Sequence, residues 1–497
     1  MKFKRPKIGN NISISDFYFH FKNLLSNYQI NILLSWSMPI FSDPWLDCPF
    51  DLSELQLVLK NTKENKAPGN DRISYEFYKN APQTFLIEFL SFLNHVFLRE
   101  EIPNSFRSSI IIPLYKKGDI NSVSNYRGLT LLDTSYKIFT GILLKRIESW
   151  LIYNNVLNEY QAGFRKGYST IDNIFNLTSI VKLRSTEKKK TFAFFVDFSC
   201  AFDLIPRNSL FYKLSVLRLS SKLIRIISLL YLNTSSQVWN GSSLSDKFSV
   251  EYGVKQGCLL SPILFSLYLN DIDEFLPNGV KINNNIIKIL LYADDLVILA
   301  ESADELQFMI NKLYDYCSMW SLNINLSKSK VLVFRDCSRL SMNLEWHYGN
   351  ENIQLVNEYK YLGITLTYNL SFNKHLNEKL EASKMAINAN WLKYIHNPKI
   401  KHSNKMKIFN TAACSIMFYG AQVWGFCKYE QVEKLFRYFI KKILYLPSNT
   451  PNYMLHLETR IDSLFVETLK LHFNFILRVL QLPSNRLPNF LAKIIKR

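Results

Sequence analysis

The stretch Leu290–Leu299, with the sequence LLYADDLVIL, places two adjacent carboxylates between two apolar runs of strand length. This pattern predicts a β-hairpin that carries acids at its turn. Two carboxylates held side by side repel each other, and a divalent cation between them removes that cost. Asp294 and Asp295 are therefore candidate metal ligands. Taken alone, two adjacent aspartates at a hairpin tip are usually solvated turn residues.

A third carboxylate stands upstream, at the end of a second apolar run. Asp197 lies in Thr191–Phe198 (TFAFFVDF), which follows the basic run Lys188–Lys190. A run this apolar predicts a strand covered on both faces, with its acid at the exit. Three carboxylates from two strand ends can hold two Mg²⁺ ions, one activating an attacking hydroxyl and the other stabilising a leaving phosphate oxygen. Nucleotidyl transfer has this requirement.

The order of several motifs carries a family resemblance. Residues 195–203 (FVDFSCAFD), 253–262 (GVKQGCLLSP) and 292–295 (YADD) resemble the successive palm motifs of reverse transcriptases, most closely those of jockey-like non-LTR retrotransposons. The resemblance covers roughly residues 50–370 and continues weakly to the end. Further segments match in the same order: Lys66–Asp71, Pro113–Asp119, Asn125–Arg127, Gln161–Arg165, Asn325–Lys328 and Tyr359–Gly363.

The resemblance implies a metal site with two Mg²⁺ ions, for which Mn²⁺ is a substitute. Its ligands are Asp197 and Asp294, with Asp295 as a third candidate that only the turn geometry brings inward, because consecutive strand side chains point to opposite faces. Lys328 matches a position proposed in polymerases to protonate the leaving pyrophosphate. Lys330 is two residues away on the same predicted strand face, and the spacing favours Lys328. An ordinary solvated strand face is the alternative for both lysines.

The resemblance also implies nucleotide contacts. Phe202, five residues after Asp197, matches the steric gate, a ring under the sugar that leaves no room for a 2′-hydroxyl and so selects deoxynucleotides. The alternative for Phe202 is a core aromatic. Gln256 matches a residue that touches the incoming nucleotide or its template base, and Gly257 allows close backbone approach.

Three cations match the fingers, where a triphosphate is held. Arg127 is preferred over Lys116 and Lys117 because a guanidinium binds phosphate bidentately. The alternative for the two lysines is a loop without a ligand. The chain departs from the family at Gly128, where proline commonly follows the arginine, and at Cys200, where a lysine or another polar residue is frequent. Neither departure removes a metal ligand.

Composition agrees with a polyanionic partner. The chain has 60 Lys and Arg against 41 Asp and Glu, a net charge of +19, and 14% aromatic residues. This balance suits an RNA template and a DNA primer or target DNA, bound in a salt-sensitive way. The seven cysteines show no paired short spacing, which fits a reducing compartment. We expect an intracellular location, nucleus or cytoplasm, without a membrane partner or transmembrane segment. The oligomeric state is left open.

The periodicities predict an α+β fold, and the resemblance implies that it is a right-hand polymerase fold with fingers, palm and thumb. Residues 1–95 are expected to form an N-terminal helical extension, with Asp51 or Ser53 capping a helix. Residues 96–365 are expected to form fingers and palm, an antiparallel palm sheet packed by helices. Residues 366–497 are expected to form a helical thumb and C-terminal region. In this region an apolar stripe from Leu435 to Ile443 lies beside four basic residues: Lys434, Arg437, Lys441 and Lys442. This pattern is typical of a helix that clamps a duplex, and also of any helix with a solvated face.

Three functional hypotheses follow from these observations. The first is an RNA-directed DNA polymerase that extends a primer 3′-hydroxyl with dNTPs. The second is an inert nucleic-acid-binding remnant, which metal dependence distinguishes from the first. The third, RNA synthesis on an RNA template, is disfavoured by Phe202. We read no endonuclease motif in the first 95 residues and no RNase H constellation after 370, so we expect a fragment of a longer polyprotein or the remnant of a degraded copy.

Overall fold

Apolar strand runs from separated parts of the sequence come together in two units. The computed structural model describes residues 12–26, 39–336, 340, 344–460 and 462–495. Unit 1 comprises Met1–Asn158, Phe198–Phe275 and Asp315–Ile324, and unit 2 comprises Glu159–Asp197, Leu276–Tyr314 and Asn325–Arg497. The boundaries near residues 95 and 365 stay a prediction.

The strands are short and lie mostly between residues 108 and 367. Their bounds are β1 Ser108–Tyr115, β2 Tyr126–Leu131, β3 Thr191–Asp197, β4 Thr234–Val238, β5 Phe248–Val250, β6 Val280–Ile282, β7 Asn285–Ile287, β8 Ile289–Tyr292, β9 Asp295–Ala300, β10 Lys330–Phe334, β11 Trp346–Tyr348, β12 Glu351–Ile353, β13 Leu355–Val356, β14 Glu358–Tyr361 and β15 Ile364–Thr367.

Helices predominate among the described residues before β1 and after β15, and the parts of the predicted N-terminal helical extension at residues 1–11 and 27–38 lie outside the described residues. Their bounds are α1 Ile14–Ser26, α2 Pro44–Asp47, α3 Leu52–Asn61, α4 Tyr75–Lys79, α5 Gln83–Arg99, α6 Asn104–Arg107, α7 Thr134–Tyr153, α8 Thr170–Thr186, α9 Arg207–Val216, α10 Ser221–Tyr231, α11 Ser261–Tyr268, α12 Ile272–Phe275, α13 Ala303–Trp320, α14 Asn373–Asn390, α15 His402–Ile408, α16 Ser415–Met417, α17 Ala421–Trp424, α18 Glu430–Ile443, α19 Asn452–Thr459, α20 Leu464–Gln481 and α21 Leu487–Ile495. Val123–Asn125 forms a 3-10 turn, and Trp391–Ile395 and Phe409–Cys414 are π-helical.

The main sheet of unit 2 has the strand order β13-β10-β3-β9-β8, with β3 at its centre. Strand β3 pairs antiparallel with β9 and β10, and β8 pairs antiparallel with β9. Every residue of β3 before Asp197 is buried, which explains why the run is apolar without alternation. Residues of this sheet share a core with α8 and the C-terminal helices. The predicted antiparallel sheet with helices packed on it is confirmed for β10, β3, β9 and β8, whereas the edge strand β13 pairs in parallel with β10.

The sheet of unit 1 has the order β2-β1-β4-β5. Strands β1 and β2 form an antiparallel hairpin in which Leu114 is opposite Arg127, and β1 pairs in parallel with β4. Phe17 and Phe21 of α1 pack with Ile111 and Val238 of this sheet. An apolar helix face therefore fixes the sheet that carries Arg127.

Local signals also set the helices. Asp51 caps α3, because its carboxylate accepts the Glu54 N–H while the Glu54 carboxylate accepts the Asp51 N–H. In α18 the residues of the predicted apolar stripe are buried. Its basic face is partly engaged, since Arg437 pairs with Glu430 and Lys442 donates to Asn388. Among the described helices, none is long and apolar enough to cross a membrane.

Candidate active site

The two acids of the opening stretch lie where β8 turns into β9. Tyr292 pairs with Asp295, so Ala293 and Asp294 form the turn between them. Ala293 adopts a φ of +58°, a left-handed conformation that side chains other than glycine seldom take. The predicted hairpin with acids at its turn is confirmed.

Strand register brings the upstream acid to this turn. Asp197, the last residue of β3, is directly opposite Asp295, the first residue of β9. Cross-strand partners project from the same face of a sheet, so the Asp197 and Asp295 side chains share a face. Asp294 lies next to them in the turn. Asp295, expected to depend on the turn geometry alone, is thus the strand partner of Asp197.

Two tyrosines of the β14–β15 hairpin lie close to these carboxylates. The Tyr359 ring stacks on Phe195 with 4.3 Å between ring centroids. Burial, together with the negative charges of Asp295 and Asp197, raises the pKa of Tyr359 to about 12. Burial and the Asp295 charge also raise the pKa of Tyr361. Both phenols therefore stay neutral beside the acids. The segment Tyr359–Gly363 resembles the family, but no local pattern in it predicts this contact.

Lys328 reaches Asp197 directly. Its Nζ donates to Asp197 Oδ2 at 3.0 Å, with 46% and 27% of the two side chains exposed. The predicted common strand face of Lys328 and Lys330 is wrong. The N–H groups of Lys328 and Ser329 both donate to Asn325 O, so Lys328 belongs to a turn, and β10 begins at Lys330. Lys330 Nζ instead donates to Leu326 O at 3.3 Å.

The backbone of Asp197 is also held. Its N–H donates to Ser329 Oγ at 3.0 Å, and its carbonyl accepts from Asn325 N at 2.8 Å. Three hydrogen bonds therefore join the turn that carries Lys328 to Asp197 at the end of β3. A partly exposed ion pair adds little stability by itself, so these backbone bonds are what set the position of Lys328.

The acids fit a hard divalent cation by the type of their donor atoms. Carboxylate oxygens are the ligands that Mg²⁺ prefers, and two or more on one strand edge are costly without a cation. Within the described ranges, however, no group of three Asp, Glu, His or Cys side chains has converged into a metal-binding cluster. The chemistry of the site fits a metal, while the ligand set stays a prediction.

A buried loop supports the Ala293 turn from behind. The Leu291 N–H donates to Tyr160 O at 3.0 Å, and Leu291 O accepts from Ala162 N at 2.8 Å. Gln161 Oε1 accepts the Gly163 N–H at 2.8 Å and the Ala293 N–H at 3.3 Å. The motif Gln161–Arg165 was noted only as a family match. Its place against the turn was missed, because the contact joins residues more than a hundred positions apart.

In unit 1 the residues that are predicted to contact the nucleotide lie on three segments, and backbone hydrogen bonds join these segments to one another. The Val254 N–H donates to Phe202 O at 2.8 Å, and the Thr130 N–H donates to Gln256 O at 2.7 Å. Gly257 has a φ of +137°, and a Cβ there would lie 2.3 Å from Thr130 O. Only glycine allows this approach. The segments of Phe202 and Gln256 are thus joined to the strand that carries Arg127.

The remaining predicted residues of unit 1 differ in their surroundings. The partly exposed Phe202 ring stacks on Phe265, with centroids 4.4 Å apart and planes at 25°. Arg127 is exposed on β2. Lys116 and Lys117 are exposed just beyond β1, where the Lys116 N–H donates to Asn125 O at 2.9 Å. The structure groups Phe202, Gln256 and Arg127, and leaves the two lysines at the hairpin end.

Comparison with known proteins gives the family. The family described as reverse transcriptase (RNA-dependent DNA polymerase) matches residues 115–366, which is half of the 497 residues. The chain belongs to the reverse transcriptase family. This confirms the resemblance drawn from the motifs and, with the α+β architecture, the expected right-hand polymerase fold.

The relatives of this reverse transcriptase chain come from mobile elements. It is 28% identical over 421 residues to the RNA-directed DNA polymerase from mobile element jockey of Drosophila funebris, covering 82% of this chain and 44% of that protein. It is 25% identical to the probable RNA-directed DNA polymerase from transposon X-element of Drosophila melanogaster, covering 80% and 43%. The chain thus spans less than half the length of these curated relatives.

Among solved structures, an apo telomerase from Candida tropicalis, truncated from its C-terminal domain, is 13% identical. The match covers 55% of each chain with a TM-score of 0.40.

A cleft of about 520 Å³ in unit 1 of this reverse transcriptase chain opens beside Gly257. Its floor is apolar, with Val58, Tyr75 and Leu131 buried. Four lysines contribute to its lining: Lys63, Lys66, Lys137 and Lys145. The motif Lys66–Asp71 therefore contributes to the lining of this cleft, and two of the lysines are engaged, since Lys137 Nζ donates to Ala67 O and Lys145 pairs with Glu148.

Lys255, next to Gln256, has a structural role in this reverse transcriptase chain that the sequence pattern does not predict. It is buried, and its Nζ donates to Phe106 O at 3.0 Å and Leu230 O at 3.2 Å. The same ammonium lies 4.7 Å from the Tyr136 ring centroid. Burial lowers the pKa of Lys255 to about 7, against the opposing effect of Cys258. Lys255 anchors the loop that presents Gln256.

This buried ammonium predicts a pH-dependent stability. The folded pKa of Lys255, about 7, lies below the value of about 10.4 of an unfolded lysine. Between these values the unfolded state binds more protons, so the free energy of unfolding rises with pH. We expect Lys255→Met to reduce this rise by about 2 kcal/mol between pH 7 and 9, measured by denaturant unfolding. The exposed Lys247→Met is the matched control. An unchanged slope in Lys255→Met would contradict the assignment.

Proposed function

We propose that this chain is the polymerase part of a jockey-like non-LTR retrotransposon protein. In this proposal it extends a primer 3′-hydroxyl with dNTPs on an RNA template. The observation that carries the proposal is the pairing of Asp197 with Asp295 beside the Asp294 turn, inside the range that matches the family. Residues 96–365 then supply fingers and palm, and residues 366–497 supply the thumb.

The acids of unit 2 are assigned to the metal. Asp197, Asp294 and Asp295 would hold two Mg²⁺ ions, with Mn²⁺ as a substitute. Bound there, the ions would lower the pKa of a primer hydroxyl and neutralise charge on the leaving phosphate oxygen. Lys328 is assigned as the proton donor to the leaving pyrophosphate. The hydrogen bond from Lys328 Nζ to Asp197 Oδ2 at 3.0 Å supports this assignment, because it keeps the ammonium beside an acid that is assigned to the metal.

Unit 1 is assigned to the nucleotide. Arg127 would bind the triphosphate bidentately, with Lys116 and Lys117 as further cations. The Phe202 ring, held against Phe265, would exclude a 2′-hydroxyl by shape. Gln256 would contact the nucleotide or the template base, with Gly257 allowing the strand to approach its backbone.

The nucleic-acid partners follow from charge. A net charge of +19 suits the phosphates of an RNA template and a DNA primer or target DNA, and binding of this kind weakens with salt. The proposal sets the reaction inside the cell, in the nucleus or cytoplasm, where the RNA template and dNTPs occur together.

The test is primer extension on a primed RNA template, comparing dNTPs with rNTPs. We expect wild-type protein to extend with dNTPs and Mg²⁺, to stop with a chelator, and to use rNTPs at least about a hundredfold less well, because an excluded oxygen is rejected by shape. Phe202→Ala opens space under the sugar. We expect it to gain rNTP incorporation by about tenfold or more while keeping dNTP use within about tenfold.

Phe308→Ala is the matched control for the gate, since Phe308 is 46% exposed on α13. It should leave the preference for dNTPs unchanged. Folded wild-type protein that binds the primed template and never extends it would favour the inert remnant. Efficient wild-type use of rNTPs would favour RNA synthesis on RNA.

A further inference from the structure

One carboxylate of unit 1 has no role in the proposed reaction. Asp203 follows Phe202 and is partly buried. Both of its carboxylate oxygens accept from Gln256 Nε2, each at 2.7 Å. A carboxylate can only accept hydrogen bonds, so the amide nitrogen, which donates, must be the atom that faces Asp203. The Gln256 amide oxygen then points away from Asp203.

The backbone around this pair is fixed. A Cβ on Gly253, which has a φ of +74°, would lie 2.5 Å from Asp203 O. The Gly253 N–H donates to Ile205 O at 2.9 Å. On the other side of the pair, Gln256 O accepts the Thr130 N–H at 2.7 Å. Because the backbone is held on both sides, the Asp203 contact controls mainly the rotation of the Gln256 side chain.

We propose that Asp203 is a positioning residue, which holds the Gln256 amide nitrogen so that the amide oxygen is the atom presented to an incoming nucleotide or its template base. This inference rests on the proposed function, in which Gln256 makes that contact. Asp203 itself touches no substrate. It acts by preventing an amide flip, because such a flip would exchange the positions of the amide donor and the amide acceptor.

The orientation should depend on pH. Burial raises the pKa of the Asp203 carboxyl to about 6, although the Gln256 hydrogen bond and the Arg127 charge oppose this shift. Arg127, on β2, is the ionised group that acts on Asp203 from a neighbouring element. Below about pH 6 the carboxyl gains a proton and can donate to the Gln256 amide oxygen, which allows the reversed orientation.

Single-nucleotide primer extension by four proteins tests the proposal: wild type, Asp203→Asn, Gln256→Ala and the double variant. An asparagine can accept from or donate to the amide, so it keeps the size and loses the orientation. We expect Asp203→Asn to raise the KM for dNTP about tenfold with kcat within about threefold, because a hydrogen bond to a charged group is lost. The double variant should match Gln256→Ala, since Asp203 acts only through Gln256.

The pH profile separates orientation from folding. We expect the ratio of kcat/KM between wild type and Gln256→Ala to shrink as the pH falls from 7 to 5. The ratio of kcat/KM between Asp203→Asn and Gln256→Ala should not change over the same range. Asp246→Asn, a change at an exposed aspartate of unit 1, should behave as wild type. An Asp203→Asn effect that persists in the Gln256→Ala background, or wild-type kinetics in Asp203→Asn, would overturn the proposal.

Failure of the proposed function is distinguishable from failure of this inference. Wild-type protein that does not extend a primer would contradict the proposed polymerase function. The interaction between Asp203 and Gln256 could still be measured by unfolding. Free energies of unfolding of Asp203→Ala, Gln256→Ala and their double variant give the coupling between the two residues at pH 7.5. A coupling that weakens from pH 7.5 to pH 5 supports the held amide, because the neutral carboxyl keeps only an uncharged hydrogen bond to the amide. No coupling at pH 7.5 overturns it.

Discussion

Asp197→Asn is expected to reduce primer extension by about a thousandfold or more, because a lost metal ligand removes several kcal/mol of transition-state stabilisation at about 1.4 kcal/mol per factor of ten. Asp294→Asn should have an effect of the same order. Asparagine keeps the size of the side chain and removes the negative charge. Binding of a primed RNA template, measured by fluorescence anisotropy, should stay within about threefold, since phosphate contacts do not require these acids.

The control for the charge change is Asp304→Asn, in the first turn of α13, where the aspartate is exposed. It should extend at the wild-type rate. Asp295→Asn decides the ligand question that strand register raises, because Asp295 is the partner of Asp197 across β3 and β9. Full activity of Asp197→Asn would rule out the proposed metal site.

Gly163→Ala is expected to lower extension by about a hundredfold, since a displacement of about 1 Å in a catalytic group can cost that much. An added Cβ would lie 2.1 Å from Ala293 N and 2.8 Å from Ala293 Cα. Backbone atoms cannot move aside as a flexible side chain can, so the turn that carries Asp294 must shift. The variant should also melt at a lower temperature than wild type, because the displaced turn would distort the hydrogen bond from Ala293 N to Gln161 Oε1.

Gly167→Ala is the matched control, four residues along the same loop. It has a φ of +81°, and a Cβ there meets no atom within 4 Å. The change therefore costs about 1–2 kcal/mol of backbone strain without touching the turn. Activity should stay near the wild-type level at temperatures where the variant is folded. Equal losses in both glycine variants would mean that strain in the loop matters, and that contact with Ala293 does not.

The local parts of the site could be predicted from the sequence. The apolar run ending in Asp197 is a strand, and the two runs around Asp294 and Asp295 form a hairpin. Asp51 caps α3 as the capping signal predicts. Period and cap rules act over a few residues, so a sequence read alone contains them.

Other parts could not be predicted, because they depend on pairing between distant segments. The pairing of Asp197 with Asp295 depends on the register of β3 and β9. A shift of one residue in that register would move the Asp295 side chain to the other face of the sheet. Lys328 looked like a strand residue, yet hydrogen bonds to Asn325 O place it in a turn. The pairing of Gln256 with Asp203 and the burial of Lys255 likewise have no local signal.

The sequence by itself thus determined the element types, the acids at the strand ends and, through the order of its motifs, the family. Only the tertiary structure decided which acid faces Asp197, which lysine reaches it, and what holds the Ala293 turn and the Gln256 amide. The physical reason is that hydrophobic period and capping are properties of neighbouring residues, whereas register, a backbone contact at Gly163 and a buried hydrogen bond exist only after segments far apart in the chain have packed together.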